Sequence, residues 1–133
     1  MKAIQFKSLQ PQCEMRWENI RITSYSEAAY FEFMLYVRTK SLSVKRDYWI
    51  PIGYVYDFVC DVEKLCQGEK NAASLYPLDL TELEFQLNRN DNMAQLNLKV
   101  IDGEGYGYAN FAFPVMLDSL RAIMEELRKE VAQ

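Results

Sequence analysis

The side chains left for proton-transfer chemistry are carboxylates, lysines, tyrosines and three thiols, because the 133-residue chain contains no histidine. That absence removes Ser-His-Asp and Cys-His nucleophile pairs, imidazole metal ligands and the one side chain that titrates near neutrality. Asp57 and Asp61 stand four apart, close enough on a helix to share a cation, but a metal site needs further ligands from elsewhere. They read as a solvated helix face. Glu82 and Glu84 alternate outward on a strand and become an acid-base pair only inside a concave site. Gly103-Glu104-Gly105-Tyr106-Gly107 has the glycines of a phosphate loop, yet a strand pattern follows where a dinucleotide site needs a helix. A hairpin turn explains those glycines. No catalytic residue, metal ligand or cofactor is assigned, and a non-enzymatic protein is expected.

Cys13, Cys60 and Cys66 make an odd count. Cys60 and Cys66 fall in one helical pattern, about 9 Å apart along its axis and on different faces, so they are not expected to bridge. The Met1–Lys7 stretch has no apolar run resembling a signal peptide, and nowhere do 18 apolar residues run together. Free thiols in a reducing cytoplasm, with no membrane association, are expected.

The elements that must position these groups follow from apolar spacing. Period-two alternation predicts strands at Ile4–Phe6, at Met15–Trp17 continuing to Ile20–Ile22 past a bulge at Glu18-Asn19, and at Tyr30–Arg38, whose two large-residue faces mark it as central. Ser41–Asp47 reads as a polar, basic connection. Val55, Phe58, Val59, Val62, Leu65 and Cys66 predict an amphipathic helix over Tyr54–Gln67, with Gly68 as its stop. A short strand at Ala73–Leu78 follows. Leu83–Leu87 and Ala94–Val100 predict a hairpin, and Tyr106–Phe113 a last strand closed by Pro114. Asp118 is placed to cap a final helix carrying Leu120, Ile123, Met124, Leu127 and Val131. The expected fold is α+β: a mainly antiparallel sheet of about six strands with one helix mid-chain and one at the C-terminus. It forms one domain over residues 1–133, with no internal repeat.

Charge divides unevenly along this plan. Residues 1–48 hold eight Lys or Arg against five Asp or Glu, for +3; residues 49–133 hold seven against fourteen, for −7; together they give the net −4. The acidic excess gathers on the first helix, the following hairpin and the Asp102–Glu104 turn, beside Tyr54, Tyr56, Tyr106 and Tyr108. Tyrosine covers large area at low rotameric cost and suits interfaces. An acidic chain repels phosphate backbones, so no nucleic-acid partner is expected, and a basic protein partner is favoured.

The second half resembles small bacterial immunity proteins that neutralise wall-associated-protein and Rhs-type polymorphic toxins. The resemblance rests on the helix from Asp57 to Gly68, on Leu83–Leu87 with Leu96–Val100, and on Phe111-Ala112-Phe113-Pro114-Val115 leading into Leu117–Leu120. It covers about 80 residues and is a pattern of elements. It implies a cytoplasmic inhibitor of a cognate, basic toxin C-terminal domain. Exposure and charge then nominate Tyr54, Asp57, Asp61, Glu82, Glu84, Glu104 and Tyr106 as partner contacts. The alternatives are a small-molecule-binding or carboxylate-based enzymatic domain with a pocket between the sheet and the first helix, and a structural subunit with an exposed apolar edge.

Overall fold

The computed structural model describes residues 3–132. Four strands, β1 (Ala3–Lys7), β2 (Glu14–Tyr25), β3 (Ala28–Arg38) and β4 (Ser43–Pro51), lead into helix α1 (Ile52–Cys66). Four more, β5 (Ala72–Leu78), β6 (Thr81–Asn88), β7 (Met93–Ile101) and β8 (Tyr108–Met116), lead into α2 (Leu117–Val131). Each set forms its own antiparallel sheet in sequence order, sheet A from β1–β4 and sheet B from β5–β8. The α+β antiparallel architecture expected from sequence is present, with eight strands in two sheets instead of about six in one.

The strand without a counterpart in the alternation is β4, in the segment expected to be a connection. Val44, Arg46, Tyr48 and Ile50 pair with Val37, Leu35, Phe33 and Phe31 on the inner face, while Lys45, Asp47 and Trp49 point out. The strand signal was masked because Arg46 occupies an inward position, where its guanidinium donates to the Leu80 carbonyl at the seam between the sheets. Strand β8 likewise runs through Pro114, which an edge strand tolerates because one side of it has no ladder partner to supply.

The ββββα order occurs twice, so the chain does contain an internal repeat. It is one of topology. Alternation at period two and a helical stripe are all such a unit requires, and many unrelated sequences satisfy both.

Local signals were otherwise followed closely. The bulge after Glu18 shifts the β2–β3 register between Glu18 and Arg21, with Asn19 at φ 55°. Gly68, at φ 80°, ends α1: its N–H donates to Leu65 O at 3.0 Å and that of Glu69 to Lys64 O at 2.9 Å, the paired bonds of a Schellman stop. Asp118 is not the cap of α2. That position is Met116, and Asp118 sits in the first turn, ion-paired with Arg121 at 2.5 Å.

The inner faces of both sheets and the apolar stripes of both helices share one core. Trp17 lies at its centre, stacked on Phe33 at 4.4 Å and touching Phe6, Phe31 and Phe58, while Phe85 reaches Phe6 and Phe58 from sheet B. The space between sheet and first helix, where a ligand pocket was an alternative, is filled by these rings. A buried hydrogen bond between Tyr48 and Thr81 and a bridge from Ser8 to Val115 tie the sheets together. With the cores facing inward, each sheet presents its other face to solvent.

Candidate functional site

The outer face of sheet A is built from the residues of β2, β3 and β4 whose parity opposes the core. Register sets them in rows across the three strands: Thr23–Tyr30–Pro51, Arg21–Glu32–Trp49, Glu18–Met34–Asp47, Arg16–Tyr36–Lys45 and Glu14–Arg38–Ser43. Aromatic and charged side chains thus interleave over a solvent-facing surface.

Two aromatic platforms stand on it. At one end Trp49 stacks on Tyr30, with centroids 4.1 Å apart and planes at 17°, and Tyr25 meets Trp49 edge-on at 6.4 Å. Trp49 is 50% exposed and Tyr25 68%, although rings of this size are ordinarily buried. At the other end Tyr36 lies beneath the Arg16 guanidinium, 4.5 Å away, and the Lys45 ammonium, 5.6 Å away. Between the platforms is a concavity of about 690 Å³ bordered by Arg21, Glu32, Met34, Asp47 and Trp49.

Five cations, Lys7, Arg16, Arg21, Arg38 and Lys45, share this face with Glu14, Glu18, Glu32 and Asp47. Glu14 is buried at 6% exposure, with the guanidiniums of Arg16 and Arg38 at 3.2 Å and 3.4 Å from its carboxylate. Glu32 holds Arg21 at 2.6 Å. Lys7 and Lys45 make no ion pair among the described residues. The face is therefore slightly cationic, with an aromatic character that comes from ring exposure. Sheet B differs: its outer face carries Glu82 and Glu84 against Lys99, with Asp79, Asp102 and Glu104 in its turns.

The residues nominated from sequence are dispersed. Tyr54, Asp57 and Asp61 lie on the exposed side of α1, where Asp61 is ion-paired with Lys70 at 2.8 Å. Glu82 and Glu84 project from the far side of sheet B, whose inner face receives α1 through the Phe58–Phe85 contact. The sheet itself separates the two groups. Glu104 and Tyr106 stand in the β7–β8 turn, Tyr106 at 87% exposure with its N–H bonded to Asp102. The three cysteines are unbridged; Cys66 is buried, and burial pushes its thiol pKa up. Among the described residues no helix is long and apolar enough to cross a membrane.

Tyr25, Tyr30, Tyr36, Trp49 and the cations around them were not nominated from sequence. Their signal is the outward parity Tyr30-x-Glu32-x-Met34-x-Tyr36-x-Arg38, which in sequence alone is equally the mark of a central strand. β3 is indeed central, between β2 and β4, but one of its faces is open.

No family model matches the chain, and no curated protein matches its sequence. The fold is similar to several solved structures. WHY1 from Arabidopsis thaliana superposes with a TM-score of 0.59 at 6% identity, covering 97% of this chain and 87% of that one. The plant transcriptional regulator PBF-2 gives 0.56 at 8% identity, covering 97% and 79%. The Trypanosoma brucei MRP1/MRP2 structure gives 0.55 at 8%, covering 97% and 83%. At these identities the likeness establishes the fold.

The fold is shared with a plant transcriptional regulator, which counts against the expected toxin-neutralising function, the expected toxin partner and the exclusion of nucleic acid. The physical reason is that a net charge of −4 averages over surfaces of different character: the carboxylates that dominate it lie on sheet B, α1 and α2, away from the outer face of sheet A.

Proposed function

We propose that the chain is a non-enzymatic binder of single-stranded nucleic acid and that the outer face of sheet A is its binding surface. The observation that carries this reading is the half-exposed Trp49–Tyr30 stack, flanked by Tyr25 on a face that also carries Arg16, Arg21, Arg38, Lys7 and Lys45. Unpaired bases offer π-faces to such rings whatever their identity, and cations between the rings follow the backbone. Duplex bases are already stacked on one another and cannot reach the platforms. The occurrence of the same fold in a plant transcriptional regulator supports a nucleic-acid partner.

The ion pairing of Arg16, Arg21 and Arg38 limits the electrostatic part of binding. These guanidiniums are held in place by carboxylates, so they orient phosphates with little release of counterions, and stacking carries more of the affinity than in a strongly basic protein. The test is a titration of fluorescently labelled 12-nucleotide single strands, DNA and RNA, against a duplex of the same sequence at low salt. Binding of single strands with quenching of Trp49 fluorescence is expected. Equal or better binding of the duplex, or no binding of either, removes the reading. Trp17 is fully buried, so quenching by a bound strand reports on Trp49.

A further inference from the structure

The outer face of sheet B holds a trough of about 780 Å³, a volume within the range of small-ligand sites. Its layout follows from register. Glu82, Lys99 and Asn110 form one row across β6, β7 and β8, and Ser74, Glu84, Asn97 and Ala112 form the next across β5 to β8. Tyr76 borders the trough, 79% exposed and without a ring partner among the described residues.

The charged groups of this trough are arranged unusually. Lys99 faces Glu82 directly across the strands, yet its ammonium lies over the Tyr108 ring, 4.4 Å from the centroid. Glu82 is left without a hydrogen bond or ion pair among the described residues, whereas Glu84 accepts from Gln86 at 2.8 Å. An open carboxylate that only accepts, two amides that donate and accept, a cation displaced to one side and an exposed ring therefore border one concavity.

We infer that this trough is a second nucleobase subsite, selective for bases that carry an exocyclic amine, formed by Glu82 with Asn97 and Asn110, with Tyr76 as platform and Lys99 toward the phosphate. The proposal rests on the nucleic-acid reading above and adds base preference to it. A carboxylate accepts from the amine of cytosine, whereas thymine presents carbonyl acceptors at its edge, which Glu82 repels. Unpaired strands expose these edges to such a reader. Sheet A would supply stacking without preference, and sheet B the discrimination.

The experiment compares labelled 12-nucleotide oligo-dC and oligo-dT at slightly alkaline pH, a pair that keeps ring size constant. The protein is expected to prefer oligo-dC by about tenfold. Glu82→Ala, an exposed substitution outside the core, should bring the two affinities within about twofold while leaving oligo-dT binding equal or stronger, since a negative charge is lost. Equal affinities for both oligonucleotides in the unaltered protein, or a preference that survives Glu82→Ala, overturns the subsite while leaving the sheet A reading intact. Failure to bind either oligonucleotide at low salt overturns both. Loss of affinity for oligo-dC and oligo-dT in equal proportion on Glu82→Ala also rules out base selection.

Discussion

Replacing Trp49 with alanine removes the most exposed stacked ring on sheet A, and its effect can be worked out from the geometry. One face of the indole is covered by Tyr30 at 4.1 Å, so a single face is open to a base. Stacking of one base on an aromatic side chain contributes about 1–3 kcal/mol. Trp49→Ala uncovers Tyr30, which offers a partial substitute, so the expected loss is about 1–2 kcal/mol, or roughly 5- to 30-fold in affinity. Folding should cost little more than the ring pair itself, about 0.5–1.5 kcal/mol, because the indole is half in solvent. The salt response separates stacking from charge. With Lys7 and Lys45 as the cations on this face outside ion pairs, the slope of log affinity against log salt is expected near −1.4, about a sevenfold fall between roughly 50 and 200 mM. Trp49→Ala should leave that slope unchanged. Anisotropy titrations at three salt concentrations, with circular dichroism and melting curves as folding controls, measure both quantities. A folded variant that binds within twofold of the unaltered protein, or a loss of affinity that appears only as a change of slope, would refute the reasoning.

Further outcomes concern charge, packing and pH. The double substitution Lys7→Ala/Lys45→Ala should flatten the salt slope toward zero and weaken all single strands alike, which the same titrations read directly. Tyr48→Phe leaves the Thr81 hydroxyl buried without its partner across the sheet seam and should cost about 1–3 kcal/mol in denaturant unfolding. Burial raises the pKa of both Tyr48, against the opposing bond from Thr81, and Cys66 above their usual values of 10.0 and 9.0. The folded state thus retains protons that the unfolded chain releases. That stability is fully present below about pH 9 and declines as pH rises through the folded values. Melting temperature should be nearly flat from about pH 6 to 8, where no histidine titrates, and fall above about pH 9; Cys66→Ala should make the fall shallower.

Much of the fold was legible because local rules and tertiary packing agreed. The alternation of Leu83, Phe85 and Leu87 against Ala94, Leu96 and Leu98 is reproduced pair for pair in the β6–β7 register, and Gly68 stops α1 where its positive φ allows. Reading failed where a charged side chain entered an inward position, as Arg46 does in β4, because its partner is a backbone carbonyl of the other sheet. The candidate surface was hidden by averaging. Arg16, Arg21 and Arg38 count as charge in a composition, but their meaning depends on standing beside Tyr36 and Trp49, a relation created by register across three strands. The acidic residues formed a visible cluster in the sequence, and the sheet then divided them between opposite sides of the molecule.

The doubled ββββα order bears on how the molecule forms. Every strand is laddered to its neighbour in sequence, so each sheet closes only short loops as it zips, and the loop-closure entropy is met in small instalments. The long-range burden falls on the seam, where Ser8 meets Val115, Tyr48 meets Thr81 and Phe6 meets Phe85. Neither sheet can dry its inner face without the helices and the opposite sheet, so two locally encoded halves become one cooperative structure through that seam. The outer faces take no part in it and are free to vary in chemistry without disturbing assembly.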